Sequence, residues 1–134
     1  MAQDGVSSDS TPAPAARAGL RVLEVVIDCA EHSVVVDFWS AALGWQPRVV
    51  NEQYVMLVPP AGTAGPPLLF QKVPEPKTIK NRVHLDFGAG AMVEDEVARP
   101  VGLGASVVAR RSLGSFGWTV MEDPEGNEFC VSGR

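Results

Sequence analysis

Short apolar runs alternate with polar breaks along the chain, in an order that occurs twice. Leu20–Cys29 (LRVLEVVIDC) is rich in β-branched residues and nearly continuous in apolar ones, the pattern of a strand buried on both faces. Behind it, Val35, Phe38, Trp39, Ala42 and Leu43 recur at the spacing of one amphipathic helix stripe, and Gly44 is placed to end that helix. Its start is weakly marked, because Ala30-Glu31-His32 offers no good N-cap before Ser33. Strands are predicted next over Gln46–Val50, Gln53–Val58 and Leu68–Lys72, broken by Asn51-Glu52 and by the loop Pro59–Pro67.

After a Pro- and Lys-bearing connector, Val73–Lys80, the order returns. Arg82–Phe87 reads as a strand, Gly88-Ala89-Gly90 as a turn, and Ala91–Leu103 as a helix with Val93, Val97 and Val101 on one face. Pro100 is expected to kink or shorten that helix. Ser106–Arg111, Gly117–Glu122 and Glu128–Ser132 read as strands. A hairpin turn over Asp123–Asn127 joins the last two, with Pro124 presetting the turn and Gly126 supplying a positive φ. Leu23-Glu24-Val25 aligns with Val83-His84-Leu85 and Leu43-Gly44 with Leu103-Gly104 at an offset of 60, and Phe70-Gln71 with Phe129-Cys130 at 59. Two βαβββ modules in one α+β domain is the simplest account: module one over 20–72, a linker over 73–80 and module two over 81–134. Residues 1–19, with no large apolar residue besides Met1 and Val6, read as a flexible N-terminal tail.

Composition narrows the function classes. With 134 residues, 46% of them hydrophobic, the chain can bury the core of a single domain. A net charge of −5 argues against binding a nucleic-acid backbone, which needs a clustered basic face. No apolar run approaches the ~20 residues of a membrane span, and no signal peptide opens the chain. Cys29 and Cys130 are far apart and form no CxxC pair, so neither a disulfide scaffold nor a zinc ribbon is expected. A cytoplasmic protein is the expectation.

The segments VVIDCAE (25–31), FWSAALGW (38–45), KNRVHLDF (80–87) and DPEGNEFCV (123–131) resemble the glyoxalase-like branch of the vicinal oxygen chelate superfamily, which includes glyoxalase I, bleomycin-resistance proteins, fosfomycin-resistance enzymes and extradiol dioxygenases. The resemblance implies tandem βαβββ modules forming a half-open mixed β-barrel with flanking helices. It also implies four metal positions, which align with Glu24, Gln71, His84 and Cys130. Family members often have His at the first position and Glu at the last, so this ligand set is degraded. Glu24, His84 and Cys130 would make a zinc or nickel site with Gln71 as a weak fourth ligand, and a metal-free cleft is the favoured alternative. His32 lies outside the four positions, and an iron site of two histidines and a carboxylate is therefore disfavoured, an extradiol dioxygenase with it.

Without a metal, Glu24 and His84 are the candidate catalytic residues, a hydrogen-bonded pair in the cleft in which His84 is a general base or a binding contact, the alternative being two buried polar side chains that only satisfy each other. Gln71, Cys130, Asp86 and Trp118 are the candidate substrate contacts. Cys130 reads more readily as a small core residue than as a nucleophile, and Trp118 as either core or cleft wall. Asp28 and Asp86 extend the pattern toward an acidic cleft for a cationic or polyhydroxylated ligand, whereas Glu128, just after a turn, reads as solvated. Two functions compete: a glyoxalase-like lyase or isomerase acting on a small molecule with vicinal oxygens, and a metal-free protein that sequesters a drug or metabolite. The resemblance also implies a homodimer, with Tyr54–Val58 and Pro59–Pro67 as candidate contacts.

Overall fold

The computed structural model describes residues 19–134, so all of the tail read from the sequence except Gly19 lies outside the described residues. Module one comprises β1 (Val25–Cys29), α1 (His32–Leu43), β2 (Gln46–Val49), β3 (Tyr54–Val58) and β4 (Leu68–Lys72). Module two comprises β5 (Leu85–Gly88), a 3-10 turn over Gly90–Met92, α2 (Val93–Gly102), β6 (Ser106–Leu113), β7 (Phe116–Glu122) and β8 (Glu128–Ser132). Each module is a four-stranded mixed sheet, ordered β1-β4-β3-β2 and β5-β8-β7-β6. The first strand pairs parallel with the last and the remaining pairs are antiparallel. No hydrogen-bonded strand pair joins the two sheets among the described residues, and the barrel stays open.

The first strand begins at Val25 rather than at Leu20. The Val25 N–H donates to Pro67 O at 3.0 Å, and there the ladder stops. The residues before Leu68 are Pro66 and Pro67, which have no N–H to offer. Leu20, Val22 and Leu23 are consequently exposed. In α2, Pro100 is buried inside the helix and withholds a donor from the Glu96 carbonyl, yet the helix runs past it to Gly102.

α1 presents the stripe expected of it: Val35, Phe38 and Trp39 are buried, and Gly44 closes the helix with a φ of 72°. The Trp39 ring centroid lies 5.0 Å from that of Phe38, 5.2 Å from Phe87 and 4.8 Å from Phe129, so module one inserts an aromatic side chain into the core of module two. The hairpin between β7 and β8 secures that insertion. Asp123 Oδ2 accepts the buried Trp39 indole N–H at 3.0 Å, while its Oδ1 accepts the N–H groups of Glu125 and Asn127. Gly126, with φ of 86°, allows the turn. The same hairpin anchors the chain just before α1, since the Glu125 carboxylate accepts the N–H groups of Ala30 at 2.7 Å and Glu31 at 2.6 Å. At the other end, Arg99 of α2 donates to the carbonyls of Ala41 and Ala42. Module two thus holds the chain at both ends of α1.

Glu128 is not solvated. The linker folds back over β8, so its carboxylate accepts from Lys77 Nζ at 3.1 Å and from the Asn81 N–H at 2.8 Å, and its side chain is only 10% exposed. Burial opposes ionisation, but these donors outweigh it and hold the carboxyl below its ordinary value. A depressed carboxylate stabilises the fold above its unfolded value near 4.5 and loses that stabilisation as pH falls through the lower folded value. Glu128→Gln is expected to cost about 1–2 kcal/mol at pH 7. The gap to wild type should narrow below pH 4.5, as read from paired thermal melts.

β3, expected at a homodimer contact, is an interior strand whose Val55 and Leu57 are buried. Of that stretch, only Tyr54, Met56 and Val58 on the open face are placed to meet a second copy. Among the described residues, no helix is long and apolar enough to cross a membrane.

Candidate functional site

Strand alternation sorts module two into a packed face and an open face. Leu85, Phe87, Phe129 and Val131 pack in the core, so their neighbours Asp86 and Cys130, opposite each other in the β5–β8 ladder, point the other way. His84, immediately before β5, joins them. Its Nδ1 lies 3.4 Å from Asp86 Oδ1 and 3.9 Å from Cys130 Sγ. Asp86 is thus within ion-pair distance of His84, and the Cys130 thiol within hydrogen-bond distance of the same ring nitrogen. The cysteines are poor nucleophiles. Burial, with Asp86 beside it, pushes the Cys130 thiol up, and burial among carboxylates pushes Cys29 up to about 12.

The neighbouring strand supplies an aromatic wall. Trp118 on β7 faces the same way, and Phe116 stacks on it with ring centroids 5.6 Å apart. Arg134 lies beyond β8 with its guanidinium 5.3 Å over the Phe116 ring and 3.8 Å from Asp86 Oδ2. The Gly90 N–H donates to the Arg134 carbonyl, and a Cβ on Gly88 would collide with that oxygen, so glycine at 88 lets the chain end lie there. These residues enclose an open cavity of about 350 Å³. His84 also borders a second cavity, of about 340 Å³, at the seam between β1 and β5, where Asp28 and Asn81 face it.

Four of the six site residues named from the sequence meet at the first cavity: His84, Asp86, Cys130 and Trp118. Glu24 and Gln71 do not join them. Gln71 lies in the first sheet, opposite Asp28 and Tyr54. The ladders explain its absence. Val25 pairs with Leu68 and its equivalent Leu85 with Phe129, which makes Cys130 the counterpart of Leu69 and Gln71 the counterpart of Ser132. The alignment of Phe70-Gln71 with Phe129-Cys130 thus slips by two residues, about 6.6 Å along a strand. The first-sheet counterparts of His84, Asp86 and Cys130 are Glu24, Val26 and Leu69, so only one donor is repeated. The family's four metal positions accordingly form no ring in this chain, and the family's metal does not fit them. Sequence reasoning also missed Phe116 and Arg134. Parity with Trp118 signals Phe116; nothing local signals Arg134.

The family model for the glyoxalase-like domain matches residues 24–132. No curated protein matches the chain. Among solved structures, it is similar to a glyoxalase/bleomycin resistance protein/dioxygenase family enzyme from Burkholderia phytofirmans PsJN, at 19% identity and a TM-score of 0.67, over 81% of this chain and 94% of that one. It is also similar to the fosfomycin resistance protein FosX from Listeria monocytogenes, solved with Mn(II) and a dihydroxypropylphosphonic acid, at 12% identity and a TM-score of 0.71, over 88% and 91% of the two chains. Oxidase ChaP-H2 is 13% identical with a TM-score of 0.63, over 87% and 94%. At these identities the likeness is one of fold. Two βαβββ modules, their open-faced sheets and a family match from Glu24 to Ser132 lead to one conclusion: the chain belongs to the glyoxalase-like domain family of the vicinal oxygen chelate superfamily.

Proposed function

We propose that this protein binds a flat, unsaturated organic acid in the cavity of module two, and that His84 is the group that exchanges a proton with it. One observation carries this reading: stacked Phe116 and Trp118 form a wall beside which a guanidinium and an imidazole–carboxylate pair lie next to each other. A stacked aromatic pair selects a planar ligand. Arg134 keeps donors free for an acidic oxygen even while close to Asp86. The acidic cleft expected from the sequence is thereby neutralised: Asp86 faces Arg134, Asp28 lies at the seam and Glu128 is held by Lys77. A cationic ligand loses its rationale. His84 within reach of Asp86 can take a proton from a bound carbon acid and return it at another position, the requirement of a lyase or isomerase.

Naphthalene-2-carboxylate and its neutral carboxamide are suitable probes, compared by thermal shift and titration calorimetry in EDTA. The acid is expected to stabilise the protein and to bind at least tenfold more tightly than the amide. Equal binding, or none by either, would overturn the reading.

A further inference from the structure

We propose that Arg111 is a second anion-binding residue of the module-two cavity, and that the ligand is a planar diacid lying across the aromatic wall, one carboxylate on Arg134 and the other on Arg111. The inference rests on the organic-acid reading and narrows its ligand class. Sheet register carries it. In the order β8-β7-β6, Trp118 pairs with Ser132 on one side and with Arg111 on the other. Directly opposite residues of an antiparallel pair share a face, with Cβ atoms about 4.5–5.5 Å apart. Arg111 therefore stands on the open face beside Trp118. Two residues along β7, Phe116 has Leu113 on its β6 side and the Arg134 guanidinium 5.3 Å over its ring. The two arginines thus occupy diagonal corners of the wall that Phe116 and Trp118 build.

Alternation separates Arg111 from its neighbour. Arg110 pairs with the buried Thr119 and turns to the packed side, where it donates to Thr119 Oγ1 at 3.0 Å and lies 4.0 Å from Glu94. Arg111 is exposed and, among the described residues, has no carboxylate partner. Its planar fork of donors is free to take a carboxylate in two parallel hydrogen bonds. Leu113, which lines the same cavity, is 76% exposed although large and apolar, and a ligand spanning the two corners would cover it. An edge-strand arginine that only keeps the edge solvated is the competing role. A solvated arginine, however, contributes nothing to the binding of a second carboxylate.

Titration calorimetry of the full chain at low ionic strength compares naphthalene-2,6-dicarboxylate with naphthalene-2-carboxylate. Wild type is expected to bind the diacid about tenfold or more tightly than the monoacid, beyond the statistical gain of two identical ends. Arg111→Gln should bring the diacid down to the affinity of the monoacid, with an unchanged melting curve because the side chain is exposed. Arg110→Gln removes the same charge from the opposite face and should keep the diacid advantage. An advantage surviving in Arg111→Gln, or lost equally in Arg110→Gln, would overturn the role of Arg111. Monoacid binding with no advantage for the diacid in wild type overturns that role alone, whereas failure of the monoacid to bind overturns the organic-acid reading and this inference with it.

Discussion

Replacing Trp39 with alanine is expected to leave the chain largely unfolded at physiological temperature. The side chain is 4% exposed and lies at the centre of the aromatic cluster that joins the modules. Truncating a buried tryptophan costs about 3–5 kcal/mol in transfer and cavity terms. A small domain has only about 5–15 kcal/mol in total. A second penalty adds to the first, because Asp123 loses the indole donor while its carboxylate stays buried. Burial holds Asp123 above its ordinary value despite that hydrogen bond. With a raised folded value, the ionised carboxylate disfavours the fold at neutral pH, and the penalty fades as pH falls through that value toward 3.8. Trp39→Phe, which keeps most of the packing, should lose about 1–3 kcal/mol from the unpaired carboxylate. It should recover part of that loss in mild acid. Chemical denaturation at pH 7 and pH 5 measures both.

Trp118→Ala should have the opposite profile, folding normally while losing the cavity's affinity. Trp118 is half-buried on the open face, and its partner Phe116 is exposed, so little core packing depends on it. Its flat contact with a stacked ligand contributes about 2 kcal/mol or more, which corresponds to roughly thirtyfold in affinity. Calorimetry with naphthalene-2-carboxylate should show that loss, with the melting temperature within a few degrees of wild type. A variant that binds as tightly as wild type would remove the aromatic wall from the account.

The repeat, the helix stripes and the Asp123–Asn127 hairpin were legible in the sequence because each is a local pattern of apolar spacing and turn chemistry. Three features were not, and each for a physical reason. A slip of two residues along a strand keeps every side chain on its face, so the alternation that placed Gln71 on the open side could not show that it pairs with Asp28 and not at the level of Cys130. The carboxylate that anchors the entry to α1 comes from Glu125, far along the chain, and leaves no signal beside Glu31. Glu128 looked solvated because a turn precedes it, while the residues that cover it, Lys77 of the linker and Asn81 just after it, are marked by polarity alone. The polar cluster itself was half legible. His84, Asp86 and Cys130 all carried chemistry in the sequence; alternation along one strand puts His84 beside Asp86, and the parallel β5–β8 register sets Cys130 opposite Asp86.

The central claim is that the binding site is one-sided, built by module two alone. Amide chemical-shift mapping with naphthalene-2-carboxylate in EDTA tests it most directly. Perturbations are expected to centre on residues 84–88, 113–118 and 130–134, with residues 24–28 and 69–71 unmoved beyond the seam. Shifts centred instead on β1 and β4, or spread equally over both sheets, would contradict the account.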